Sequence, residues 1–144
     1  MSAKQPALIS VRVACQPAFQ DLDIMQVVWH GRYWQFIEQA REALFNHIGY
    51  GYAEMIKRGY QFPIIKAEIK YIQPIVLDQQ FDVEAALLEY ENRVHIRFTF
   101  FDKQSQKILC KASSMQAVVA VGERHLQFVT PDCFQQKVRS FLAN

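Results

Sequence analysis

The sequence predicts an α+β fold, one long helix wrapped by a curved and largely antiparallel sheet. Three observations carry that prediction. Between residues 31 and 48, Tyr33, Trp34, Ile37, Ala40, Leu44 and Ile48 recur at three- and four-residue steps, the spacing of one helix face. From 61 to 121 the apolar residues instead alternate with polar ones, the period of strands. The segments between those strands are short, which suits antiparallel neighbours joined by hairpins.

Taken in order, "LISVRVAC" (8–15) alternates and reads as a first strand, and Pro17 with the acidic "QDLD" marks a loop. The helix then runs from about Gly31 to Ile48, with Gly49 as its stop. "YGYAEMIKRGY" (50–60) reads as a turn of helix leading to a break at Gly59. Strands follow at 62–72, 80–90, 93–102 and 107–121, the last the longest and most apolar. The breaks at 73–79, 91–92 and 103–106 suit hairpin-type connections. Pro131 opens a short terminal helix, near the first turn where its missing N–H costs nothing. One amphipathic helix must lay its stripe on the only large apolar surface available, the sheet. That is the hotdog architecture. A single such layer leaves sheet edge and helix rim uncovered, which favours a homodimer, or a homotetramer of such dimers.

Composition narrows the function. At 144 residues the chain reads as a single domain, 1–144, and 51% hydrophobic residues supply a sizeable core. Sixteen Lys and Arg against fourteen Asp and Glu give +2, too balanced for a nucleic-acid footprint. "MSAKQPALIS" has neither the charged n-region nor the apolar h-region of a signal peptide, and no apolar stretch approaches membrane-spanning length. A cytoplasmic protein without a membrane partner is expected. Cys15, Cys110 and Cys133 are far apart, in no C-x-x-C spacing, and read as small core residues. His47, His95 and His125 are scattered without ligand spacing, so neither metal nor cofactor is expected.

The stretch "DLDIMQVVWHGRYWQFIEQAREAL" (21–44) is where function is written. Asp21-x-Asp23, "VVWH" (27–30), Tyr33 and "EQAR" (38–41) resemble the signature D-x-D-x-x-x-x-V-x-[HY]-x-x-Y-x-x-x-x-E-x-A-R. That signature belongs to hotdog-fold thioesterases of the 4-hydroxybenzoyl-CoA thioesterase and YbgC-like type. The resemblance implies hydrolysis of an acyl thioester of coenzyme A or of an acyl carrier protein, without a metal. It implies that Asp23 is the catalytic carboxylate and that the backbone N–H of His30 polarises the thioester carbonyl.

The chemistry agrees with the residues. Thioester hydrolysis needs a carboxylate to attack the carbonyl carbon or deprotonate a water, and donors for the developing oxyanion. A helix N-terminus supplies unpaired N–H groups and a partial positive charge. Asp23 lies seven residues before His30, enough chain to curl back so that its carboxylate faces the amides around 29–31. Asp21 is expected to shape the turn. No suitably spaced Ser or Cys makes a Ser-His-Asp arrangement.

Tyr33 matches the signature's tyrosine and doubles as core or pocket wall, while Trp29 adds aromatic surface suited to a fatty or an aromatic acyl group. Arg41 falls inside the apolar stripe and must be paired, for which a carboxylate across the core or dimer interface is expected. Glu38 sits at the stripe's edge. A helix-borne Glu is the catalytic acid in another hotdog branch, which makes Glu38 the rival to Asp23. Relatives often carry Ala-Gly or Met-Gly after the second acid; here Met25 and Gln26 stand there, so either a narrower site or a hydrogen bond donated by Gln26 is expected. Of the basic residues relatives carry for the nucleotide end, Arg93 alone corresponds, which favours a carrier-protein substrate or loose binding of the nucleotide. Two other functions stay open: a hotdog dehydratase or isomerase, and a non-catalytic module that binds acyl thioesters.

Overall fold

A computed structural model of the chain describes residues 5–144; Met1 to Lys4, part of the segment read for targeting, lie outside the described residues. The elements are β1 (Ile9–Cys15), α1 (Tyr33–Ile48), α2 (Tyr52–Arg58), β2 (Tyr60–Gln61), β3 (Ile64–Tyr71), β4 (Phe81–Glu89), β5 (Val94–Asp102), β6 (Ile108–Gln116), β7 (Val119–Ala120) and α3 (Asp132–Ala143). Five strands form one sheet in the order β1-β4-β5-β6-β3, every pair antiparallel. Bulges at Ile64/Lys66, Leu87/Glu89 and Phe100/Phe101 interrupt the ladders and bend the strands.

Helix α1 lies on this sheet. Ile37, Ala40 and Leu44 are fully buried in the same cluster as Phe81, Val83, Ala85, Ile96, Phe98 and Phe100. Burying each such side chain is worth about 1.5–3 kcal/mol, so this face holds the helix in place. The buried stripe also takes in Phe36 and Phe45, whereas Trp34 is only partly buried. Gly49 ends the helix at φ +91°, the left-handed conformation that favours glycine, and its N–H bonds the Phe45 carbonyl. Helix α3 covers one end, where Phe134 packs against Phe45, Tyr50 and Phe62.

Two sequence expectations are corrected. The long strand at 107–121 is two strands. Gln116 pairs with Val94, the first residue of β5, so the main ladder has no neighbour beyond it. The Ala117 N–H then turns to the Pro63 carbonyl, and Val119–Ala120 pairs with Tyr60–Gln61 instead. The break at 73–79 is likewise no hairpin. Strand β3 pairs with β6 at the sheet edge, so this segment crosses over to β4 and passes the turn before α1. There the Val28 N–H bonds the buried Ile75 carbonyl at 2.8 Å and Val27 bridges Val76. The crossover therefore forms one wall beside Asp23. Among the described residues no helix is long and apolar enough to cross a membrane.

Candidate active site

The turn between β1 and α1 is closed at its base by one buried residue. Asp21 is only 4% exposed. Its carboxylate accepts the Ala18 N–H at 2.7 Å and pairs with Arg32 Nε, while its carbonyl accepts the Trp29 N–H at 3.1 Å. The expected structural role of Asp21 thus has a partner, Arg32, outside the signature. Beyond this clamp, Leu22 bridges Val28, the Asp23 N–H bonds the Val27 carbonyl at 2.9 Å, and the Gln26 N–H bonds the Asp23 carbonyl at 2.9 Å. Asp23 Oδ1 accepts the Met25 N–H at 2.8 Å, so the side chain shapes its own turn. Among the described residues nothing bonds its other oxygen.

Gln26 stands at φ +65°. That is the left-handed region glycine enters freely and other residues enter at a cost. The glycine that relatives often carry here is absent, and Gln26 takes a conformation that glycine would enter without strain.

Asp23 and His30 line one cleft of 390 Å³, walled by Val28, Tyr33, Tyr71 and the crossover residues 72–74. Residues His30–Arg32 make a 3-10 turn that runs directly into α1. The His30 and Gly31 N–H groups open that turn and have no acceptor among the described residues, which leaves them as donors at the positive end of the helix dipole. Gly31 lets the Trp29 ring lie close to the turn: a Cβ there would stand 2.2 Å from that ring and push it aside. Trp29 in turn meets the His30 ring edge-on at 5.5 Å. Tyr33 is buried between Tyr71 and Phe100. Burial, and secondarily the Cys110 thiol, push its phenol up to about 12, so it stays neutral.

The remaining sequence-predicted residues are placed differently. Gln26 borders a second cleft of 640 Å³ on the other side of the turn, shared with Asp23, Phe19, Met25 and Leu77. Glu38 lies at a third cavity of 650 Å³ between α1, α2 and the β2–β7 ribbon, walled by Phe45, Tyr52, Met55, Ile56, Phe62 and Val121. Arg41 lines the same cavity. Its Nε pairs with Glu38 Oε1 at 2.5 Å, and its Nη1 donates to Ser114 Oγ and Gln116 Oε1, both at 2.8 Å. The expected carboxylate across the core is therefore corrected: the acid is one turn away on the same helix, and the cross-core acceptors are neutral. Arg93 pairs with Glu89 at 3.3 Å and lines none of these three cavities.

Sequence reasoning missed Arg32, Tyr71 and the α2 wall. Arg32 and Asp21 are eleven residues apart across a loop, and no periodicity pairs them. Tyr71 falls at the end of the strand expected over 62–72, with nothing in the sequence to tie it to the turn before α1.

Residues 17–141 match the model of the Thioesterase-like superfamily. A provisionally named esterase of Aquifex aeolicus is 25% identical over 105 residues, 73% of this chain and 81% of that protein. Another from Synechocystis sp. is 29% identical over 91 residues, 58% of this chain, and the match spans about half of that protein's length (54%). Among solved structures, a 1,4-dihydroxy-2-naphthoyl-CoA thioesterase from Synechocystis superposes with a TM-score of 0.80 at 18% identity, over 90% of this chain and 96% of that one. At that identity the superposition speaks for the fold. The family match covers most of the chain, and the protein belongs to the Thioesterase-like superfamily.

Proposed function

We propose that this chain hydrolyses acyl thioesters of coenzyme A or of an acyl carrier protein, with Asp23 as nucleophile or general base. The observation that carries the reading is the shared cleft: a carboxylate oxygen without a partner and the unpaired first amides of the α1 turn border one pocket. With the thioester carbonyl oxygen on the His30 N–H, attack by Asp23, or by a water it deprotonates, forms a tetrahedral oxyanion. The amide stabilises that charge and the C–S bond breaks. In the general-base route the thiolate takes the proton Asp23 drew from water. In the nucleophilic route the thiolate takes a proton from solvent, and water then cleaves the acyl–Asp23 anhydride, releasing the acid and restoring the carboxylate. One oxyanion donor is worth roughly 10²–10³ in rate.

The acyl group needs room beyond 390 Å³, and the sheet edge offers it. Ile64, Ile65, Tyr71 and Ile72 on and beside the edge strand β3 are all exposed, an apolar edge a soluble chain covers. Pairing β3 with its copy about a two-fold axis near Ala67 sets the Ile64 end of one protomer beside the Tyr71 end of the other. Within one chain those ends are about 23 Å apart. Across the dimer, the Glu38 cavity of one protomer adjoins the Asp23 cleft of its partner. Its aromatic and methionine wall suits an apolar acyl group, with Glu38 able to accept a hydrogen bond from a hydroxyl on it.

The test is free-thiol release from short, long and aromatic acyl-CoAs and from acyl carrier protein thioesters. Release from any of them supports a hydrolase. Silence across the whole panel, with binding retained, would replace it with the non-catalytic binding module.

A further inference from the structure

The Tyr71 hydroxyl donates to the His30 carbonyl at 3.2 Å. Among the described residues it is the one side-chain bond between the sheet edge and the turn that opens α1, and the signature does not include it. The Tyr71 ring stands edge-on to Tyr33 at 4.9 Å, and Tyr33 rests on Phe100. The hydroxyl is therefore carried by a chain of rings anchored in the core. The Trp29 ring lies against Gly31, in the space a Cβ there would need, and meets the His30 ring edge-on.

We propose that Tyr71 is a positioning residue for the oxyanion donors: its hydroxyl holds the His30–Gly31 peptide. That fixes the Gly31 N–H of the same plane and, through the shared His30 Cα, steadies the adjoining His30 N–H that faces the carbonyl held against Asp23. This rests on the hydrolase reading above. A 3-10 turn at a helix start is the least constrained part of the helix, because its first amides have no intrahelical bonds. A donor fixed before the reaction costs no reorganisation when charge develops on the oxygen. An amide free to swing loses that advantage in the transition state more than in the substrate complex. Desolvation at the pocket edge, and secondarily the Cys110 thiol, raise the Tyr71 phenol above its ordinary value, so the donor proton is kept wherever a carboxylate can act.

Tyr71→Phe removes the hydroxyl and keeps the ring on Tyr33. The full chain with this change is expected to lose roughly three- to tenfold in kcat, the range of one neutral hydrogen bond, with KM and Tm unchanged. In the ligand-free protein the amide resonances of His30 and Gly31 should shift while those of the rest of α1 stay in place. A kcat equal to that of the active wild type overturns the inference alone. So does a loss confined to KM, or one accompanied by a lower Tm and shifts along all of α1, since those outcomes mark substrate contact or plain stability. A wild type that releases no thiol removes the hydrolase reading, and this inference with it.

Discussion

Gln26 holds a left-handed conformation three residues after Asp23, and its N–H closes the turn on the Asp23 carbonyl. A side chain with a Cβ is strained there, and the site keeps it although glycine would be easier. Gln26→Gly should therefore raise stability, or leave it level, by up to about 1 kcal/mol as relief of strain offsets the entropy of a freer unfolded chain. Denaturant unfolding measures it, and a loss above 1 kcal/mol would show that the glutamine side chain itself holds the turn. Asp23 is a different case. One of its oxygens is occupied by the Met25 N–H, so half of the carboxylate maintains the loop, and the other oxygen has no partner among the described residues. The aspartate was legible from the signature; that it builds its own turn was not, because a hydrogen bond two residues along leaves no periodic trace.

At the scale of elements, the 21–32 turn and the start of α1 behave as one unit because Asp21 and Arg32 join its two ends. Arg32→Met would leave a carboxylate 94% buried with only the Ala18 amide for company. A loss of about 2 kcal/mol is expected, below the usual figure for a broken buried pair because Arg32 is itself 28% exposed. Thermal unfolding of the variant, compared with Arg32→Lys, separates the charge from the Nε hydrogen bond, and an unchanged Tm would mean the pair contributes nothing. The long helix, its stop at Gly49 and the strands β3, β4 and β5 were readable because each repeats a period the backbone imposes. The split of β6 from β7 was not, since Val118 and Val119 continue the apolar run while the pairing partner changes. The crossover at 73–79 was hidden for a similar reason: Pro74 marks a bend but not where the next strand goes.

For the whole molecule, the exposed apolar edge of β3 and the cavity beside α2 belong to one account. In the proposed dimer, a two-fold axis through β3 would cover the first and bring the second to the cleft that Asp23 lines. Ile65, half exposed on that edge, is the position to test. Ile65→Lys should convert a dimer to a monomer in analytical ultracentrifugation and depress turnover with it, since a charge buried at a strand pair is costly. A variant that remains dimeric would place the interface elsewhere. The central claim is narrower and can be tested at a single atom. Asp23→Asn keeps the oxygen that accepts the Met25 N–H, so the turn should hold and acyl-CoA affinity should stay near that of the wild type. Steady-state thiol release with a turned-over acyl-CoA should fall roughly 10²–10⁴-fold. Turnover within about threefold of the wild type would contradict the account and move the chemistry away from this carboxylate.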